Sequence, residues 1–265
     1  MGRQVGLIKV KGKLGGVSFY KSGGEDLARV ANGPSKERIL TEPNFVRTRE
    51  NNTEFGGAAK IAKALRLALL TSVRTMGDRH VTARLTALFK EIGTQGLGAR
   101  GQRTISLSLH FPQLNNFEFN KKLPFGSVFN APFSVSVNAA RNVGTVTIPA
   151  FSPASFINAP EGATHFAIVA AIGVISDYTY NASTGKYQPT DPTLNELGAT
   201  TTGAMTALNS TTPVNFTLVA TVPGAPTMTT TASGALALGI IFYQLVNTVD
   251  YVLAQGNCMK VVQMF

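Results

Sequence analysis

The feature that most constrains this chain is a change of hydrophobic period near residue 103. Before it, apolar residues recur at helical spacing. From Thr104 onward they recur at period two, carried by β-branched and aromatic residues between Gly, Pro and Asn turns. Such a pattern predicts a short helical part beside a larger antiparallel β body. Candidate strands cover 104–109, 117–120, 133–138, 143–149, 164–176, 178–181, 214–222, 235–246, 249–254 and 258–263. Strands this short and numerous predict a mainly β chain with a small α part, its C-terminal body an immunoglobulin-like or jelly-roll-like β-sandwich. Thr, Gly, Ala and Pro dominate 190–213 and 223–234, which read as loops.

Charge divides at the same place. Residues 1–103 hold 19 of the 24 Lys and Arg against 8 of the 14 acids, a net of +11, whereas 104–265 hold 5 against 6, a net of −1. Charged residues make up only 14% of the 265, below the roughly 25% of ordinary soluble domains. Much of the surface is therefore neutral or covered by other molecules, as in a polymer subunit. The 44% hydrophobic content is ample for a real core.

In the first part, Ile8, Val10 and Leu14 fall on one face of an extended strand over 5–14, and Lys9, Lys11 and Lys13 on the other. Gly15-Gly16 turns the chain into residues 17–20, and a second turn at 21–24 leads into residues 27–30, so 5–31 predicts a small β-meander. A ribbon of this size has too little core to stand alone and needs the rest of the chain or a neighbouring subunit. Pro34 and Pro43 bracket a linker. Thr53 is the expected N-cap of a helix to Met76, with Ile61, Leu65, Leu69 and Val73 as its apolar stripe. After Gly77 a second helix from Asp78 carries Val81, Leu85, Leu88, Phe89 and Ile92, completing an αα-hairpin. The expected divisions are a β-arm at 1–35, a linker and basic helical hairpin at 36–103, and the sandwich at 104–265.

Catalytic chemistry finds no foothold in the pattern. His80, His110 and His165 lie in separate segments without metal-ligand spacing. There is no GxSxG elbow, and Asp177, Asp191, Glu196 and Asp250 are isolated acids. The Ser183-Thr184-Gly185-Lys186 loop fails as a P-loop, because Tyr180 and Tyr187 stand where the motif needs Gly and Ser or Thr. No catalytic residue, metal or cofactor is expected. The single cysteine, Cys258, excludes an intrachain disulfide and reads as a buried residue of the last strand. Lys9, Lys11 and Lys13 interrupt what would be the core of a secretory signal, and the apolar run 235–246 is too short to span a bilayer of roughly 20 helical residues. Cytoplasmic synthesis is therefore expected, ending in a cytoplasmic assembly or a virion-like particle, with no membrane partner.

The strings Gly12-Lys13-Leu14-Gly15-Gly16-Val17-Ser18-Phe19-Tyr20-Lys21, Leu27-Ala28-Arg29, Phe45-Val46-Arg47-Thr48-Arg49-Glu50-Asn51 and Glu54-Phe55-Gly56 resemble an uncharacterised protein family common in Bacteroidota. Its members open with a Gly-rich hairpin and a basic helical region before a β-rich C-terminal part. Further along, PEGATHF at 160–166 and Ile241-Phe242-Tyr243-Gln244 fall where similar strings occur. The resemblance spans nearly the whole chain, carries no activity, and is consistent with a phage-like or mobile-element structural protein. Within the motif, Phe19 and Tyr20 are expected as opposite-facing anchors, and Arg47, Arg49, Glu50 and Glu54 as an ion-pair cluster.

The expected function is a non-enzymatic structural protein that assembles with itself into a filament, tube or shell, its arm adding strands to a neighbour through Ile8, Val10, Leu14, Val17, Phe19 and Tyr20. In that setting the arm's lysines also guard an edge against uncontrolled pairing. The alternative is a nucleic-acid-associated architectural protein that grips phosphates with Lys9, Lys11, Lys13, Arg66 and Arg74.

Overall fold

The computed structural model of the chain describes residues 1–30 and 33–265. Ala31, the expected end of the meander, lies outside the described residues. The chain falls into two compact units, Met1–Arg49 and Glu50–Phe265. The first holds strands β1 (Gly2–Arg3), β2 (Gly12–Leu14), β3 (Val17–Ser22) and β4 (Glu25–Val30), then helix α1 (Lys36–Thr41) and a 3-10 turn at Pro43–Phe45. Helix α2 (Val46–Ala68) runs from its end into the second unit, which continues with α3 (Leu70–Met76) and α4 (Val81–Thr94). One-turn helices follow at α5 (Leu107–His110), α6 (Phe125–Val128) and α7 (Pro153–Phe156). The strands of the body are β5 (Ser134–Val137), β6 (Val143–Phe151), β7 (His165–Ser176), β8 (Tyr178–Asn181), β9 (Lys186–Pro189), β10 (Leu197–Thr202), β11 (Thr206–Ala207), β12 (Val214–Thr221), β13 (Ala232–Val246), β14 (Val249–Val252) and β15 (Cys258–Met264). The fold is mainly β, and its sheets are antiparallel.

Strands β7 and β13 pair over twelve residues at the centre of a six-stranded sheet, from Ala232 opposite Ser176 to Tyr243 opposite His165. Strand β10, with β11 beyond it, extends the sheet past β7, while β14 and β15 pair with opposite ends of β13. Both faces of the central pair are buried, which is why β7 reads HFAIVAAIGVIS with hardly a polar residue in it.

The two faces differ in kind. Phe166, Ile168, Leu236, Leu238, Ile240 and Phe242 face a second sheet, β12-β6-β5, and pack with its Val146, Ile148, Phe151, Phe216 and Leu218. These two sheets share one core, as the sandwich expectation requires. The opposite face presents Val169, Ala171, Ala235 and Ala237 to Ile61, Leu65, Leu69 and Met76 of the helical layer and to Leu85, Phe89 and Ile92 of α4. The body is thus three layers: helices, large sheet, small sheet.

Small residues on the helical side let the backbones approach. A Cβ at Gly198 would lie 1.9 Å from the Ala68 carbonyl oxygen, one at Gly173 would lie 3.0 Å from the Leu69 side chain, and one at Gly239 would lie 2.5 Å from Met76 Sδ. Leu69, with φ −105° and ψ 24°, interrupts the helix where it meets this stripe. The interruption is one residue long, since Leu69 N–H still donates to the Leu65 carbonyl and Val73 N–H to that of Leu69.

Several expectations need correction. The helix begins at Val46, led in by the Pro43 turn, so Thr53 lies well inside it rather than at its cap. The apolar stripes of both helices are as expected, with Ile61, Leu65, Leu69, Leu85, Phe89 and Ile92 fully buried. Yet these helices share the core of the β body, and the structure divides at 49/50 instead of 103. Residues 104–109 are not a strand: Ile105 makes an isolated bridge to Tyr178, and the Ser108 N–H and hydroxyl are drawn to the Asp177 carboxylate as α5 forms. At 117–120 only the Glu118–Lys260 bridge remains of the expected strand. The region 190–213, which reads as loop, holds β10 and β11.

The close approach at Gly198 has a measurable consequence. Gly198→Ala is expected to lower stability by about 1–3 kcal/mol, as overpacking does. Gly126→Ala, where an added Cβ meets nothing within 4 Å, should change it by less than about 0.5 kcal/mol. Urea unfolding of both variants checks the difference.

Candidate assembly interface

Several buried polar groups of the body are committed to one another. Glu54, on the buried side of α2, accepts from Arg103 Nε at 2.7 Å and Nη2 at 2.8 Å, from Lys90 Nζ at 2.5 Å and from the Gly101 N–H at 2.9 Å. The bond from Arg103 dominates and holds the carboxyl at about 2 against the opposing effect of burial. Arg103 also donates to the Thr94 carbonyl at 2.8 Å, and its own carbonyl accepts from Tyr187 Oη at 2.7 Å. Burial, followed by the nearby Glu54 charge, pushes the Tyr187 phenol up to about 12. The Tyr187 ring lies where a Cβ at Gly57 would be, 2.6 Å from its Cγ, so Gly57 lets strand β9 close against α2. This knot ties α2, α4, the loop after α4 and β9 together. Glu50, expected in the same cluster, pairs with Arg100 at 3.4 Å.

Other buried acids are equally occupied. Burial raises the Asp177 carboxyl, opposed by the Ser108 hydroxyl and N–H that donate to it. The two bonds from Ser108 fasten α5 to the end of β7. Asp78 lines an open groove of about 490 Å³ together with Asn120, Lys122 and Gln255. Its oxygens accept from the N–H groups of His80 and Lys121 and from Arg84 Nη2. Cys258 is fully buried on β15, and burial pushes its thiol up to about 12. His80 Nε2 accepts from Arg79 Nε, and His165 Nδ1 meets Thr164 Oγ1 at 2.9 Å.

The N-terminal unit is built differently. Its sheet has the order β1-β4-β3-β2, all antiparallel. Gly15 and Gly16, with φ of 55° and 80°, make the turn that closes Leu14 against Val17, a backbone that a side chain would strain. Directly opposed residues share a face. The register Gly12↔Phe19, Leu14↔Val17, Val17↔Val30 and Phe19↔Ala28 therefore gathers Leu14, Val17, Phe19, Ala28 and Val30 on one side. Lys13, Ser18, Tyr20, Leu27 and Arg29 take the other, where the Arg29 guanidinium sits 5.5 Å from the Tyr20 ring centroid. Phe19 and Tyr20 thus face opposite ways, as the sequence implied.

Leu14 is 69% and Val30 66% exposed, and no described residue of Met1–Arg49 is buried. Helix α1 is held by Ser35 Oγ, which accepts from the Arg38 N–H, and by Arg49 Nη1, which donates to the Ile39 and Glu42 carbonyls.

Of the expected interface residues, Leu14, Val17 and Phe19 come together on the apolar face, while Ile8 and Val10 do not. The expected strand over 5–14 is a strand only at Gly12–Leu14. The Gln4 side chain takes the place of a ladder at Val10: its Oε1 accepts the Val10 N–H at 2.9 Å and its Nε2 donates to the Val10 carbonyl at 3.2 Å. Lys9 Nζ in turn donates to the Gln4 carbonyl. Ala28 and Val30 belong to the apolar face and were not anticipated; their alternation with Leu27 and Arg29 was the available signal. Among the basic candidates, Lys9, Lys11 and Lys13 are exposed in the N-terminal unit, and Arg66 and Arg74 lie on helices of the body. Comparison with protein-family models, curated proteins and solved structures finds no match.

The Glu54 knot predicts an acid limit. A carboxyl that titrates near 2 when folded and near 4.5 when unfolded contributes about 3 kcal/mol above roughly pH 5, lost progressively as pH falls toward 2. Glu54→Gln leaves Arg103 and Lys90 without their counter-charge and is expected to cost about 3–5 kcal/mol at pH 7. The gap between the two proteins should narrow below pH 4.5, measured by urea unfolding at several pH values.

Proposed function

We propose that this chain is a non-enzymatic structural subunit that assembles with copies of itself through its N-terminal unit. The observation that carries the reading is a four-stranded sheet with an apolar face, Leu14, Val17, Phe19, Ala28 and Val30, in a unit without one buried residue among those described. A four-stranded sheet can stand alone only if its apolar face is covered, and here Leu14 and Val30 of that face are left 69% and 66% exposed. Covering side chains of this kind contributes about 1.5–3 kcal/mol each. A face that must meet a different surface on the next copy generates open assemblies, such as filaments or tubes, or closed shells when the geometry returns on itself. The saturation of the body's buried acids, each held by nearby donors, also fits a scaffold.

Nucleic-acid binding has only the charge excess behind it, carried by Lys9, Lys11 and Lys13 in the N-terminal unit and by Arg66 and Arg74 in the body. Phosphate contact at these lysines would add a salt-dependent grip without replacing the need to cover the apolar face.

Deleting residues 2–16 removes β1 and β2 and is expected to leave a folded but monomeric protein. Val17→Glu, which puts a charge in the middle of the apolar face, should do the same. Negative-stain microscopy and sedimentation of the full chain should show regular particles that both variants lack. Variants that still polymerise would overturn the reading. Dispersed monomers that condense only on added DNA, and release it between about 50 and 200 mM salt, would favour nucleic-acid packaging instead.

A further inference from the structure

Strands β13 and β14 form a hairpin closed by Asn247 and Thr248, whose φ values of 49° and 67° are those of a two-residue turn suited to the strand twist. The Leu253 N–H donates to the Phe242 carbonyl at 2.9 Å, which fixes the hydrogen-bonding parity of the hairpin. By the antiparallel alternation, the pairs Gln244/Tyr251 and Val246/Val249 point inward, and the main-chain groups of Asp250 and Val252 point out from the sheet. The Leu245 N–H obeys the same parity, turning away from β14 to the Thr164 hydroxyl at 2.8 Å. Among the described residues no strand pairs with that outer edge. Around it Leu245, Val246, Val249, Tyr251 and Val252 are 41–56% exposed. An open, apolar strand edge of this sort is a template for further pairing.

The chain also holds a segment suited to it. Val5, Leu7 and Ile8 are 86–104% exposed, and residues 5–9 use none of their main-chain N–H groups within the described structure. Asp250 is the hairpin's one charge, and Lys9 and Lys11 stand in or beside the segment. Pairing β14 with a second β14 would bring Asp250 toward its own copy, whereas the arm brings a cation to it.

We infer that the open edge of β14 receives residues 5–9 of a second copy as an added strand. The inference rests on the proposed assembly through the N-terminal unit and names the surface which that unit meets. Main-chain bonds to Asp250 and Val252 would supply the affinity, and the lysine pairing with Asp250 the register. Ile8, which lies outside the N-terminal sheet, thereby regains a strand in the neighbour.

The test uses full-length chains carrying one added cysteine each, since Cys258 is fully buried. A copy with Leu7→Cys, which stands opposite Val252 when Lys9 pairs antiparallel with Asp250, is mixed with a differently tagged copy with Val252→Cys and oxidised gently. The expected product is a 7–252 heterodimer, with none from Leu7→Cys paired with Val219→Cys, an apolar site about as exposed as Val252. Separately, Asp250→Lys should raise the concentration for half-assembly by about 2–5-fold, and combining it with Lys9→Asp and Lys11→Asp should restore it. Equal cross-linking at 219, or assembly without a 7–252 link and untouched by Asp250→Lys, overturns this acceptor while leaving assembly through the N-terminal unit standing. A wild-type chain that never assembles removes both.

Discussion

The structure depends on a two-strand ribbon buried on both faces. Strands β7 and β13 have no solvent side over most of their length, so every layer of the body is set by what their two faces accept. Large side chains on one face, Phe166, Ile168, Leu238 and Phe242, interlock with the small sheet as two halves of a sandwich do. Ala171, Gly173, Ala235, Ala237 and Gly239 on the other give a shallow surface onto which a helix can settle at backbone distance. The same asymmetry explains why the helix breaks at Leu69. A straight helix cannot follow a twisted sheet closely along its length, and Leu69, packed against Gly173, directly follows Ala68, whose carbonyl makes the tightest approach, at Gly198.

Once the helices lie so near the sheet, their polar residues need partners supplied by the chain itself. Glu54 faces inward from α2 and collects Arg103, Lys90 and the Gly101 N–H, so the loop after α4 is folded around a carboxylate. Tyr187 then joins that loop to β9, while Lys60 from α2 donates to the Tyr187 carbonyl at 2.7 Å. Part of the excess positive charge in residues 1–103 is read differently in this light. Lys60, Lys90, Arg84 and Arg103 are tied to the body by carbonyls and carboxylates, so they serve packing as much as any external anion. Of the lysines in the first fifteen residues, Lys9 is held by the Gln4 carbonyl of its own unit, and Lys11 and Lys13 are exposed.

Much of this was legible in the residues. Strands β5, β6, β7, β8, β12, β13, β14 and β15 coincide closely with expected ones, because β-branched runs between turn residues carry a local signal. The stripes of α2 and α4 followed from periodicity alone. The failures have tertiary causes. Ile105 and Leu107 read as strand, but Asp177 captures Ser108 and bends the segment into a turn of helix. Thr200 and its neighbours read as loop because β10 is specified by pairing with β7 rather than by its own threonines. The strand over 5–14 was inferred from alternation, yet Gln4 satisfies Val10 locally and leaves the apolar residues outward. That last departure matters most for function, because it converts an expected edge strand into a free segment. The apolar face at Leu14, Val17 and Phe19 could be placed from sequence, whereas the acceptor edge at Asp250 and Val252 needed the parity of hydrogen bonds that only the structure gives.

The body and the N-terminal unit differ in one respect above all: the body buries its large side chains thoroughly, while the N-terminal sheet buries none of its own. Sheets of that kind gain order when a partner covers them, and their amides should exchange accordingly. Hydrogen exchange at rising protein concentration tests the central claim most directly. The account predicts that amides at 5–30 exchange rapidly in dilute solution and become protected in the range where particles form, while those of β7 and β13 stay protected throughout. Protection of 5–30 that is strong and independent of concentration would contradict it, because the sheet would then be stable without a neighbour.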